Sequence, residues 1–238
     1  SQRGQHVGGD GLERRQLGHV AFLATISALL LFMSRRFQRR RSTPPDEFIF
    51  VAAGVMIGWI AALIYVWNDL APLPWGWEIA ARRTLSEGMM LMLALGIGGK
   101  LGPMILGYTS DTKVTPLGLP QARGFDRHRV WLCALALTLA ASFPLEYLGS
   151  TRAGLVLRAA AACAALFTTM PLWRRPQPGS VLVAVLRIAL WMMVLSPCAA
   201  ALLPQYRLEL LHALFIGGFG VLILVIATRI TLSHGNFS

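Results

Sequence analysis

Phe48-Ile49-Phe50-Val51-Ala52-Ala53-Gly54-Val55-Met56-Ile57-Gly58-Trp59-Ile60-Ala61-Ala62-Leu63-Ile64-Tyr65-Val66-Trp67 is a run of twenty residues without a charged side chain. At about 1.5 Å per residue a helix of that length spans about 30 Å, the thickness of a bilayer's hydrocarbon core. Six further apolar runs follow the same logic on either side of it: Leu17–Met33, Leu85–Tyr108, Val130–Leu148, Ala153–Trp173, Val181–Leu203 and Leu208–Leu232. The expected fold is therefore all-α, a polytopic bundle of seven transmembrane helices over residues 17–238, preceded by a polar, Gly-rich segment over residues 1–16.

Composition agrees with this. Hydrophobic residues make up 55% of the 238 and charged residues 14%, about half the charged share of a soluble domain. The same apolar content excludes disorder. Cys133, Cys163 and Cys198 lie inside apolar runs with no CxxC spacing, so neither a disulfide framework nor a structural zinc site has its ligands. The net charge of +11 falls mainly between the apolar runs, where Lys and Arg set topology and meet anionic lipid head groups. With no soluble domain to present a basic face, nucleic acid is not an expected partner. The lipid bilayer is, and other membrane subunits are candidates.

The first run is not a cleaved signal peptide. It lacks a small-residue cleavage site, and Arg35, Arg36, Arg39, Arg40 and Arg41 follow it as a stop-transfer signal. The chain begins without Met and reads as a piece of a longer protein or a processed one. The longest connection, Thr109–Arg129, carries Pro116, Gly118 and Pro120 and reads as a turn-rich linker.

Ionisable groups at membrane depth are functional candidates by default. Lys100 sits in Gly98-Gly99-Lys100-Leu101-Gly102-Pro103, and Arg158 and Arg187 lie well inside the fifth and sixth spans, with Glu87 and Glu146 near span ends. Each is also explained by snorkelling or a buried ion pair. The Gly-rich stretch lacks the Ser or Thr of a phosphate loop. It suits a helix broken or kinked at Pro103, with Gly98/Gly102, Gly54/Gly58 and Ala213/Gly217 as small-residue faces for close packing.

Histidine is the commonest metal and haem axial ligand. His6 lies in the polar N-terminus. His19 and His212 fall at one membrane depth and His128 and His234 at the other. His212 and His234 are 22 residues apart, about 33 Å along one helix, and cannot serve one metal. His19 and His212 are candidate cofactor ligands facing each other across a haem. His128 and His234 are candidate metal ligands for copper. Glu209, three residues before His212, shares its helix face and is a candidate partner for that imidazole. Met89, Met90, Met92, Met104, Met192 and Met193 carry thioethers that suit Cu(I), and serve equally as apolar filler.

The stretch His212-Ala213-Leu214-Phe215-Ile216-Gly217-Gly218-Phe219-Gly220, followed by Ala227-Thr228-Arg229-Ile230-Thr231-Leu232-Ser233-His234-Gly235, resembles the end of the NnrS family. Ser233 stands where the family has Gly. Residues 98–103 resemble a Gly-Arg-x-x-Pro stretch of the same family, with Thr109 in the place of a following Thr, while the family's N-terminal His-x-His-Glu signature is not seen. The resemblance implies a bacterial inner-membrane protein that binds haem and/or copper and acts in nitric oxide stress and denitrification. It implies that His212, Arg229 and His234 belong to the family's pattern, and leaves open whether a reaction is catalysed. A transporter or channel, or a structural subunit of a membrane complex, is the competing reading.

Lys and Arg number five, four and two in the first, third and fifth loops, plus Arg229, against three at the N-terminus and two, one and one in the even loops. The positive-inside rule then puts the C-terminus in the cytoplasm. A reporter fused after Ser238 is expected to be active only as a cytoplasmic reporter; periplasmic activity would invert the topology.

Overall fold

A computed structural model describes residues 9–39, 44–107, 126–147, 150–170, 172–173 and 181–234. Its long elements are all helical: α1 (Gly9–Gln38), α2 (Phe48–Leu70), α3 (Trp75–Arg83), α4 (Met90–Ile105), α5 (Arg127–Tyr147), α6 (Thr151–Thr169), α7 (Val181–Leu202), α8 (Arg207–His212) and α9 (Val221–His234). Two π-helical segments, Thr84–Met89 and Ala213–Gly220, weld α3 to α4 and α8 to α9. Among the described residues, seven helices result that are long and apolar enough to cross a membrane: Arg15–Gln38, Phe48–Leu70, Gly76–Ile105, Arg127–Tyr147, Thr151–Thr169, Val181–Leu202 and Pro204–Leu232.

The bundle core is built where these helices face one another, around Phe50, Met92, Leu95, Leu132, Leu139, Leu166, Leu186, Leu190 and Met193. Leu137, Ile188, Ile223 and Leu224 are exposed on the outside, a surface that costs nothing against lipid tails. With no hydrophobic drive between helices in lipid, close backbone approach has to supply the attraction. The glycines mark those approaches. A Cβ on Gly54 would lie 3.0 Å from Met92 Cβ, and one on Gly58 only 2.6 Å from Met89 Sδ, so this face of α2 receives the third span. Gly217 and Gly218 likewise receive Met192 and Met193 of α7. Four of the six methionines read as possible Cu(I) ligands thus fill glycine grooves, while Met90 and Met104 are exposed. α1 is the peripheral helix, packed along α2 and tied to it by Trp59 Nε1–H donating to Ser27 Oγ at 2.9 Å.

Two expectations change. The third span begins at Gly76, in the first turn of α3 and nine residues before the apolar run at Leu85. Its first turns carry Glu78, Arg82 and Arg83, which lowered its hydropathy, yet their charges are matched within the fold: Glu78 accepts from Arg15 of α1 at 2.8 Å. The irregular backbone of this span is also not at Pro103. α4 continues through Pro103 to Ile105, with Lys100 half-buried on a regular helical turn. Gly98, Gly99 and Gly102 surround the proline with small residues, and membrane helices tolerate proline where neighbours leave room. The irregularity lies upstream, in the π-helical turn that holds Glu87. His6, Thr109 and Gly235, and the linker as far as residue 125, lie outside the described residues.

α5 and α6 meet backbone to backbone. A Cβ on Gly154 would meet Ser142 O and Glu146 Cβ, both at 2.8 Å. Gly154→Val is expected to push the pair apart and lower Tm in detergent by roughly 5 °C, from an overpacking cost of about 1–3 kcal/mol. Gly18→Ala, where nothing lies within 4 Å, is expected to leave Tm unchanged.

Candidate functional site

Successive spans run antiparallel, so one end of the bundle gathers the start of α1, the end of α2, the start of the third span, the end of α5, the start of α6, the end of α7 and the start of α8. Five charged residues meet in this half. Arg158 enters from α6, about 10 Å along the helix from Thr151. Its Nη1–H donates to Glu87 Oε2 at 2.8 Å and its Nη2–H to Glu146 Oε2 at 2.7 Å. Its Nε–H reaches Ser142 Oγ at 3.3 Å, and its Cζ stands 3.8 Å from the centre of the Phe143 ring. Arg207, at the start of α8, donates from Nη2 to both Glu87 oxygens at 2.7 and 2.9 Å and from Nη1 to Glu146. Arg83, at the end of α3, adds a further contact to Glu146.

Burial deepens toward the middle of this cluster. The Glu146, Arg158, Glu87 and Arg207 side chains are 2%, 5%, 8% and 14% exposed, and Arg83 is 36% exposed at the rim. A charge buried this deeply is stable only when paired and hydrogen-bonded. The two carboxylates and two inner guanidiniums meet that condition in a closed ring. The reading of Arg158 as one half of a buried ion pair is thereby met, with more partners than two. Arg207 and Arg83 were counted as loop charges from the sequence. The signal that could have found them is their depth, since both lie on helices within a turn or two of the layer that holds Glu87 and Glu146.

The histidines sort differently. His19 Nδ1 pairs with Asp69 Oδ2 at 2.7 Å, because the antiparallel α1 and α2 bring an early residue of one beside a late residue of the other. Its ring stacks on Tyr65 with centroids 4.8 Å apart. Beside it lies an open pocket of about 330 Å³, lined among others by Arg15, Phe22, Glu78 and Arg82. His212 closes α8, exposed, with Nδ1 bonded to the Leu208 carbonyl at 2.8 Å. That carbonyl, not Glu209, is the partner of the His212 ring; Glu209 is exposed on the same helix. α1 packs on α2 and α8 on α7, so the two imidazoles belong to different helix pairs.

At the opposite end His128 is exposed in the first turn of α5, its backbone N–H donating to Asp126 Oδ1 at 3.1 Å. His234 ends α9, and its side chain lies outside the described residues. Arg229 is exposed on α9. Arg187 is half-buried on α7, its Nη2–H directed at the Leu172 carbonyl at 3.5 Å. No group of three or more His, Cys, Asp and Glu side chains able to hold a metal occurs among the described residues. Cys163 and Cys198 face each other across α6 and α7 with their sulfurs 3.4 Å apart, a proximity that no local spacing announces.

These features define a multi-pass helical membrane protein with an ionic cluster and a carboxylate-held imidazole in the same half of the bundle. The NnrS protein family model matches residues 9–237, nearly the whole chain and far beyond the C-terminal stretch that carries the visible resemblance. The chain belongs to the NnrS family. No curated relative and no solved structure matches it.

Removing one member of a buried ion pair leaves the other charge uncompensated, at about 3–5 kcal/mol. Arg158→Leu is therefore expected to lower Tm in detergent by roughly 10 °C. Arg229→Ala, on the exposed side of α9, is expected to leave Tm where it is. A small change for Arg158→Leu would mean the cluster is hydrated in the folded protein.

Proposed function

We propose that this member of the NnrS family is a bacterial inner-membrane protein that binds haem and acts in the response to nitric oxide or in denitrification. The observation that carries the reading is the His19–Asp69 pair. A carboxylate on Nδ1 fixes the imidazole tautomer and its orientation and leaves Nε2 as the ligating nitrogen, the arrangement that ligating histidines commonly have. Haem supplies redox and ligand-binding iron when bound. The chain's own residues supply the rest. Asp69 holds the His19 ring in one orientation, and Tyr65 supports its face. Arg15 and Arg82 bring positive charge to the neighbouring pocket, where acidic substituents of a cofactor would be met.

His212 has the same feature in weaker form, its Nδ1 taken by a backbone carbonyl. It is the second candidate ligand, on a helix pair of its own. Copper at His128 and His234 is the second cofactor proposed; the His234 side chain lies outside the described residues. The transporter or channel reading rests on a broken third span, Lys100, Arg158 and Arg187; α4 runs unbroken through Lys100 and Pro103, and Arg158 is tied into the charge cluster. There both carboxylates are closed off by guanidiniums.

The test is a spectrum. The protein purified from haem-replete cells is expected to show a Soret band. His19→Ala is expected to abolish it, and Asp69→Asn to weaken haem affinity by about 10–100-fold. His212→Ala separates one haem site from two by the heme-to-protein ratio it retains. A wild-type protein without a Soret band, reconstituted or not, overturns the proposal.

A further inference from the structure

Cys163 on α6 and Cys198 on α7 stand thiol to thiol, with their sulfurs 3.4 Å apart and both side chains half-buried. A single cysteine in a membrane helix is explained as a small apolar side chain. Two that meet across a helix seam, 35 residues apart in sequence, have a chemistry that neither has alone. The seam brings them together with little bulk between. Leu155 and Ala159 of α6 pack on Ala201 of α7, with Cys198 against them. α6 runs Ala159-Ala160-Ala161-Ala162 up to Cys163, and α7 runs Ala199-Ala200-Ala201 on from Cys198. Pro197, next to Cys198, has no N–H for the Met193 carbonyl, which leaves α7 freer to adjust at this turn. The sulfurs are about 1.4 Å short of disulfide bonding distance. A reagent also has a route from outside. Val156, two turns before Cys163, and Leu195, one turn before Cys198, are 51% and 56% exposed.

We propose that Cys163 and Cys198 form a redox-active dithiol, which a small apolar disulfide entering from the lipid converts into a cross-link between α6 and α7. Two exchanges balance the atoms and electrons. One cysteine sulfur attacks the small disulfide, its S–H proton leaves with the departing half as a thiol, and a mixed disulfide forms. The second cysteine sulfur then attacks the first, expels the other half as a thiol, and closes the Cys163–Cys198 bond. The pair loses two electrons and two protons, and the reagent gains both. Cys133, exposed on α5, does not share this seam and stops at the mixed disulfide. The cross-link lies close to the ion cluster. Arg158 is five residues before Cys163, about 7.5 Å along α6, and Ser196, two residues before Cys198, lines the same small cavity as Arg158. Oxidation thus clamps α7 to α6 beside the cluster. The pair is separate from the His19 pocket, and its chemistry does not depend on haem.

The experiment uses the full chain in detergent, carrying Cys133→Ala, with dipyridyl disulfide as the apolar disulfide. Two equivalents of pyridinethione per chain are expected, with an intact mass lower by two hydrogen atoms and no reagent retained. Trypsin added after denaturation cuts after Arg174 and Arg187, between the two cysteines. The α6 and α7 fragments are expected to stay joined until reductant is added. The cross-link is expected to raise Tm by roughly 5 °C. Adding Cys198→Ala is expected to give a folded protein that releases one equivalent and keeps the other half of the reagent on Cys163. Two retained reagent halves without a cross-link, or thiols that react only after unfolding, would overturn the proposal. A cross-linked protein with a lower Tm than the reduced one would overturn it as well, since the helices would then have been forced together.

Discussion

Two carboxylates buried between the helices set the terms for this bundle. Transfer of one ionised carboxylate into a medium of low dielectric costs of order 20 kcal/mol in the idealised limit, and several kcal/mol after relaxation. The fold accommodates Glu87 and Glu146 because Arg158 and Arg207 close on both of them. The four side chains come from the third, fourth, fifth and seventh spans. No pair of neighbouring helices can assemble the ring alone, so the cluster fixes which helices stand together and at what height. It contributes less to net stability than to uniqueness of arrangement, since any misplaced helix strands a charge in lipid.

The packing elsewhere is arranged to allow this. Gly154 lets α6 approach α5 until Arg158 reaches Glu146, and Gly54 and Gly58 seat the third span on α2. Small residues are the means by which helices in lipid gain dispersion contacts. Here they also bring the guanidinium and carboxylate groups within hydrogen-bonding distance. The cluster and the glycines are two parts of one constraint.

The spans were legible because twenty apolar residues have few other uses, and all seven helices lie where the apolar runs are. The α3 extension was not, because Glu78, Arg82 and Arg83 read as a polar loop until their partners on other helices are known. Lys100 and Pro103 drew attention as a local helix breaker, but the surrounding glycines absorb the proline. Arg158 stood out by its depth. Arg207 did not, since three residues after Pro204 a charge looks like a loop charge. The His19–Asp69 pair was half legible: the depths of the two residues follow from the span boundaries, whereas their shared azimuth follows from how α1 lies on α2. Depth is a one-dimensional property that the sequence carries. Azimuth is settled by packing.

The two π-helical segments show how azimuth is set within a single span. An i→i+5 turn inserts a residue and rotates everything downstream by about 100° relative to an uninterrupted helix. In the third span this turn contains Glu87 and ends at Met89. Upstream of it Arg83 points toward Glu146, and downstream Met92 and Leu95 fill the core against α2. A continuous α-helix would put one of those faces out of register. The same device follows His212, where the segment Ala213–Gly220 separates Arg207, aimed at the cluster, from Leu222 and Val225, packed in the core. Both π turns thus lie between a charged half, which must meet the cluster, and an apolar half, which must meet the bundle. They are the local backbone cost of giving one helix two partners at two depths.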